Sequence, residues 1–587
     1  MTKRPLIASL SLLACFVTLA QAQSEQAQVA GAKNVGDRTT LSKNIASNSQ
    51  PSKTQASGSQ NASEQQAVLP ADELKELKEK LAELQRQIEQ LSSARAAERN
   101  SPSAQLPRLG EVASTSGMVP NAAATPIAVP ALAPQEARTA EEASPLQFHL
   151  GSAYFTPLGF MDMTSVSRST APGTGIGTNF GSVPFAGTQA GSLTETRLSI
   201  QNSRIGMRVD TKVKDAKVLG YWESDFLGQI GTSANSPNGG LAVSSNPYVF
   251  RLRLFWADVR YNKFEILGGQ SWSMMTPNRK GISALPGDLF YSQDIDVNYQ
   301  LGLVWGRIPG FRMLYHPSDK VTFGVAFENS EPYIGGGNGG GAATAPAALA
   351  GIIGSQVNNG GSGITAPALF PDVIAKLAFD PSPKFHIELA GVEIANKISN
   401  PASTPAFQTN TKAGIGGSLN LNFELFKGFR LLTNNFWSDG GGRYIFGQAP
   451  DFILRANGNI SPVHSGSTVT GFEYTAGKKF PTLLYGYYGA VYIQRNTALD
   501  ANGKTLIGYG FSGSGNGQNR AIQEFSFGTN TTFWKDAKYG ALNLMFQYSY
   551  LQRNPWYVAS GALSDAHVHM GFINLRYTLP GSAPSIK

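Results

Sequence analysis

Ser418-Leu419-Asn420-Leu421-Asn422-Phe423-Glu424-Leu425 sets polar and apolar residues in strict alternation. Side chains on a strand point to opposite faces in turn, so Leu419, Leu421, Phe423 and Leu425 share one face. Ser418, Asn420, Asn422 and Glu424 share the other. The pattern recurs where Leu542, Leu544, Phe546, Tyr548 and Tyr550 oppose Asn543, Gln547 and Ser549. It recurs again where Val321, Phe323, Val325 and Phe327 oppose Thr322, Gly324 and Glu328. A soluble sandwich would also alternate. An export signal, long strands and an asymmetric loop rhythm favour an all-β transmembrane barrel of about sixteen antiparallel strands with a wet interior.

Residues 1–22 read as a signal peptide: Lys3 and Arg4, then the apolar run from Leu6 to Leu19, then Ala20-Gln21-Ala22. Leu12-Leu13-Ala14-Cys15 offers a competing lipoprotein reading, but the apolar run continues past Cys15. Cys15 is the chain's only cysteine, so cleavage after Ala22 leaves no thiol chemistry. No other apolar run is long enough for a membrane-spanning helix. A mean hydropathy of −0.17 suits a barrel, in which only alternate residues need be apolar.

Residues 23–70 are rich in Ser, Gln, Ala and Asn and are expected to be disordered. Over 71–94, Leu74, Leu77, Leu81, Leu84, Ile88 and Leu91 follow 3–4 spacing, the seam of a periplasmic α-helical coiled coil. Glu73 at a g position can meet Lys78 at an e position of a parallel neighbour; a lone amphipathic helix is the competing reading. Residues 95–146 form a Pro/Ala-rich linker, and 147–587 the barrel. Short turns are expected at 214–217, 262–263, 318–319, 381–383, 427–428, 478–479 and 535–538. Long connections are expected at 169–192, 228–246, 276–299, 330–369, 396–411, 440–466, 497–518 and 554–564. Short turns should face the periplasm and long loops the exterior, with 330–369 partly covering the mouth. Aromatics flank several short turns, as an interfacial girdle does (Tyr261 and Phe264, Phe426 and Phe429, Trp534 and Tyr539).

Four segments resemble the DcaP-type porins of Gram-negative outer membranes and, more distantly, anion-selective phosphate porins. They are Gln201-Asn202-Ser203-Arg204-Ile205-Gly206-Met207-Arg208-Val209, Gly220-Tyr221-Trp222-Glu223-Ser224-Asp225-Phe226, Leu267-Gly268-Gly269-Gln270-Ser271-Trp272-Ser273 and Asp439-Gly440-Gly441-Gly442-Arg443-Tyr444. The resemblance covers most of the barrel, and the coiled coil is similar to that family's periplasmic extension. It implies a homotrimer of sixteen-stranded outer-membrane barrels admitting small, usually negatively charged solutes. One departure is the C-terminus: Tyr577 is followed by ten further residues, so no terminal aromatic is present as an assembly signal.

The net charge of +8 lies in the barrel: residues 1–146 carry 14 basic and 14 acidic residues, and 147–587 carry 34 and 26. Many lysines sit at short turns, where water or lipid head groups solvate them. Strand arginines should point inward, because an Arg facing lipid at mid-depth costs about 2–4 kcal/mol. Arg251 and Arg253, alternating with Leu252 and Leu254, are placed in the lumen with Arg204, Arg208, Arg312 and Arg430. Arg279 and Lys280 lie in the loop after the fifth strand and would line a constriction if that loop folds inward. Such arginines either set anion preference or brace the wall by pairing with Glu223, Asp225, Asp210 and Glu424 across the lumen. The expected partners are therefore outer-membrane lipid and small hydrophilic, anionic solutes such as small carboxylates, with no nucleic acid.

His567 and His569 lack a third ligand, so no metal is expected. Asp500-Ala501-Asn502-Gly503 lacks the calcium-loop ligand series and reads as a turn. The glycine-rich 508–517 lacks a phosphate-cradle Lys. With no catalytic constellation or cofactor motif, the expected function is passive diffusion through an outer-membrane pore. An adhesin or periplasmic tether, and an outer-membrane hydrolase, are the competing classes.

Overall fold

The computed structural model describes Arg86 and residues 144–228, 248–289, 293–361 and 366–581. The segments expected as signal peptide and disordered stretch, nearly all of those expected as coiled coil and linker, and the last six residues lie outside the described residues. Sixteen long strands follow one another around the wall. They are β1 (Ala153–Arg168), β2 (Arg204–Val213), β3 (Ala216–Gly228), β4 (Val249–Tyr261), β5 (Phe264–Trp272), β6 (Arg307–Ser318), β7 (Val321–Glu328) and β8 (Asp372–Ser382). Then come β9 (Phe385–Asn400), β10 (Gln408–Phe426), β11 (Phe429–Asp439), β12 (His464–Ala476), β13 (Thr482–Ile493), β14 (Asn519–Asp536), β15 (Gly540–Pro555) and β16 (His567–Thr578). Each pairs antiparallel with its neighbours, and β1 closes the barrel on β16 in the register Phe160↔Thr578 through Arg168↔Met570. A short strand, Glu195–Ser199, pairs with the far half of β1 ahead of β2.

The alternation sorts the faces as the sequence indicates. Ser418, Asn420 and Asn422 are buried inside β10, while Leu419, Phe423 and Leu425 are exposed outside. Phe323 and Phe327 likewise face out, with Thr322 and Glu328 buried behind them. The seven short turns fall at one rim; six leave two or three residues between strands, while the one expected at 478–479 is a five-residue connection, 477–481. Lys214 and Asn262 take left-handed backbone there, and in the two-residue turn Lys427-Gly428 the φ of +81° suits a residue without a Cβ. Exposed Tyr261, Phe264, Phe426, Trp534 and Tyr539 ring this rim. Phe426 stacks on Phe429 at 4.9 Å and Phe264 lies 5.1 Å from Tyr315.

Two expectations are corrected. The connection expected at 396–411 is mostly strand: β9 and β10 stay paired to Asn400↔Gln408, leaving only 401–407 as loop. Leu254 does not share the outer face with Leu252. A bulge in the β3–β4 ladder, where Glu223 pairs with Leu254 but Ser224 pairs with Leu252, admits one extra residue. Leu252 stays outside at 49% exposed, and Leu254 turns in at 0% to join Tyr221, Trp256 and Trp272.

At the other rim the long loops pack on one another. Arg443 ties them together: its guanidinium binds Asp372 and Asp451 and donates to the Glu331 carbonyl (2.6 Å) and Ser330 Oγ (3.1 Å). Tyr444 donates to the same Asp372 at 2.7 Å. Loop 329–371 meets loop 440–463 where the Tyr333 hydroxyl donates to the Gly447 carbonyl (2.7 Å). It meets the β13–β14 connection through backbone hydrogen bonds between Thr344 and Gly508 (2.9 Å).

Candidate pore constriction

The described parts of the connection between β5 and β6, residues 273–289 and 293–306, turn into the barrel and follow its inner wall. Backbone amides and carbonyls brought inside must find partners, because an orphaned polar group away from water is costly. Inward side chains of the wall supply them. Lys376 on β8 donates to the Thr276 carbonyl (2.9 Å), and Glu388 on β9 accepts from the Asn278 amide (3.0 Å). Gln547 on β15 accepts from Ile295 (2.9 Å), Glu524 on β14 from Leu301 (2.8 Å), and Asn434 on β11 from Val304 (3.1 Å). At Gly489 on β13 the loop backbone comes so near that a Cβ would stand 1.9 Å from the Leu301 carbonyl oxygen.

The eight candidate cations fall into distinct settings. Arg204, Arg251 and Arg253 gather on the wall formed by β2, β3 and β4. Arg253 contacts Glu223 (2.5 Å) and Asp225 (2.7 Å), Arg251 contacts Asp225 (2.7 Å), and Arg204 lies 3.6 Å from Glu223. The Tyr299 hydroxyl, on the inward loop, accepts from Arg253 (3.1 Å) and Arg204 (3.4 Å). Burial opposes ionisation of this phenol, yet the surrounding guanidiniums of Arg204, Arg253 and Arg307 outweigh it and draw its pKa below the ordinary value. Arg208 is buried in a two-pronged bond to Asp210, both contacts 2.8 Å.

Across the lumen, Arg279 on the inward loop makes a paired contact with Glu473 on β12 (2.8 and 3.0 Å). Tyr487 donates to that carboxylate at 2.6 Å. Arg430 lies 3.9 Å from Glu424. Arg312 is buried among Glu265, Asp258 and Glu328. Lys280 is exposed. The anticipated pairings with Glu223, Asp225, Asp210 and Glu424 therefore form, but each runs along the wall rather than across the lumen. Each joins neighbouring strands or residues two apart on one strand, the first three on β2–β4 and the last between β10 and β11. Arg279–Glu473 is the pair that crosses.

Three contributors escaped the sequence. Lys376 is fully buried at 2.9 Å from Glu388, and its mid-strand position was the available sign. Tyr299 carried no pattern. Arg307 stands at the first residue of β6, where alternation has not yet begun. His567 and His569 contact Asp565 and the Tyr548 hydroxyl respectively, and no group of three or more metal-type side chains occurs among the described residues.

A closed sixteen-stranded antiparallel barrel with polar inner face, apolar outer face and an inward loop is the fold of outer-membrane porins. Among solved structures, the chain is similar to the outer membrane channel DcaP of Acinetobacter baumannii, with 15% identity and a TM-score of 0.50 over 73% of this chain and 97% of that one. An anion-selective porin from Comamonas acidovorans aligns at 10% identity and a TM-score of 0.40, covering 73% of this chain and 99% of that one. Neither a protein-family model nor a curated protein sequence matches the chain.

Proposed function

We propose that this protein is an outer-membrane porin through which small hydrophilic solutes diffuse passively, with preference for anions such as small carboxylates. The observation that carries the preference is the charge balance where the inward loop rejoins the wall. Three guanidiniums, Arg204, Arg251 and Arg253, pair with two carboxylates, Glu223 and Asp225, and a fourth, Arg307, adds its charge to the same cluster without an ion pair of its own. Carboxylates hold the arginines in fixed positions, and the surplus cations attract a passing anion without trapping it. In this reading bracing and selectivity are two jobs of one cluster. Three such barrels side by side, with their N-terminal helices bundled in the periplasm, form the proposed assembly.

Purified protein in a planar lipid bilayer under a KCl gradient tests this. The expected result is ohmic current closing in three equal steps, with a reversal potential on the chloride side. Absence of current overturns the channel, and a reversal potential on the potassium side overturns the preference.

A further inference from the structure

Arg307 faces into the barrel opposite Trp272 in the β5–β6 ladder. Its guanidinium carbon lies 5.7 Å from the Trp272 ring centre and 5.5 Å from that of Trp305. Among the described residues no carboxylate reaches it within ion-pair distance and no acceptor takes a hydrogen bond from it. Its Nη1 is closed off from solvent without a partner. The charged and titratable groups that act on it most strongly are Arg253, Arg251, Tyr299 and Asp225. The two nearby carboxylates are already engaged: Glu223 with Arg253 and Arg204, Asp225 with Arg251 and Arg253. A shielded guanidinium that meets mainly other guanidiniums and ring faces is unfavourable unless an anion completes it.

Arg312 marks the contrast. It too has guanidinium nitrogens without hydrogen-bond partners, but the charged groups that act on it are the carboxyls of Glu265, Asp258 and Glu328 rather than other guanidiniums. Arg251, by comparison, keeps 37% of its side chain exposed beside Arg307's cluster, which leaves an open approach.

We infer that Arg307, with Arg251 at its open side, forms a subsite that binds a small oxyanion during passage, and that Arg307 is the main determinant of anion preference. This rests on the channel reading above. The guanidinium offers two parallel N–H donors, which match a carboxylate or phosphate better than a spherical chloride. The cation–π contacts hold its plane in place without neutralising it.

The test uses the full-length protein and its Arg307→Gln and Arg307→Lys variants, with folding checked by heat-modifiable mobility on gels. Reversal potentials in KCl are measured first, then block of the chloride current by sodium acetate and by sodium phosphate. Arg307→Gln should lower the anion-to-cation permeability ratio by about two-fold or more. That is the change expected when one unit charge about 10 Å from a passing ion is lost at water-like dielectric. It should also abolish saturable block by either oxyanion, while Arg307→Lys keeps the permeability ratio and weakens the block. Block by phosphate alone would identify a phosphate site; block by acetate alone, a carboxylate site. Because Trp272 and Trp305 lie against the guanidinium, acetate or phosphate should also alter tryptophan emission in detergent, and Arg307→Gln should remove that change. Unchanged reversal potential, block and emission in Arg307→Gln would overturn the subsite while leaving the porin reading intact. A wild-type protein that carries no current but shows the emission change would overturn the porin and spare the anion site.

Discussion

Arg253 and Arg307 lie on one patch of wall and carry the same charge, yet their removal should have different consequences, stability lost in the first case and selectivity in the second. Arg253 is 2% exposed and joins Glu223 and Asp225, both fully buried. Arg253→Ala would strip both carboxylates of their shared partner, and breaking a buried pair in this way costs about 3–5 kcal/mol. A lower midpoint in thermal unfolding followed by circular dichroism should show it. Arg251→Ala should lower the midpoint less, since Asp225 keeps Arg253. A midpoint unchanged by Arg253→Ala would mean the cluster does not brace the wall. Period-two reading placed Arg204, Arg208, Arg251 and Arg253 inside because the price of an Arg in lipid leaves little choice. It failed at Leu254 because the bulge that turns that residue inward depends on pairing with β3, roughly 30 positions earlier. It passed over Arg307 because that residue's setting is made by Trp272 and Trp305 rather than by Gly306 and Ile308.

At the scale of elements, the rhythm of short turns and long connections was legible because each short turn interrupts a run of alternating residues. The tops of β9 and β10 were not legible. Ten-odd tilted residues cross a bilayer, where the apolar outer band is about 25 Å tall, whereas β10 runs for 19 residues. Its first part therefore stands clear of the hydrocarbon, and Gln408, Asn410 and Lys412 pair with Asn400, Ile398 and Asn396. Polar residues there occupy both faces, so nothing distinguishes paired strand from loop. The inward course of 273–306 could be posed from sequence only as a condition, because its anchors are wall residues far along the chain. Gly489 is the most exacting of these anchors. Gly489→Val should push the loop away from β13 at Leu301, since the added Cβ would overlap a carbonyl oxygen. The expected outcome is altered single-channel conductance in a barrel that keeps its thermal midpoint. Unaltered conductance would show that this stretch of loop does not shape the channel.

For the molecule as a whole, the two rims are built differently. Tight turns and exposed aromatic rings make one, while at the other Arg443 gathers loop 329–371, loop 440–463 and the start of β8 around one guanidinium. The Gly-Arg-Tyr segment at 442–444 was visible in the sequence as a point of family likeness. Its task was not, because Asp372 and Ser330 lie roughly 70 and 110 positions away. The surplus positive charge was also visible, as a total. Its concentration near Arg307 depends on which carboxylates the fold spends on which arginines, and only three-dimensional pairing decides that.

The seam where β1 meets β16 has one more consequence. Ser144 Oγ donates to the Pro580 carbonyl at 3.1 Å, and the Leu579 amide donates to the Gly159 carbonyl at 3.1 Å. The beginning and end of the barrel thus touch at the short-turn rim, and the ring of strands has no privileged starting point. A circular permutant in which a short Gly/Ser linker joins 580 to 144, with new ends between Lys478 and Lys479 on the same rim, keeps every ladder of the wall. It should refold in detergent to a heat-modifiable barrel with a thermal midpoint close to that of the unpermuted 144–580 segment. Failure to refold would show that the order in which strands are joined matters to this barrel, and that its circle is closed in geometry but not in assembly.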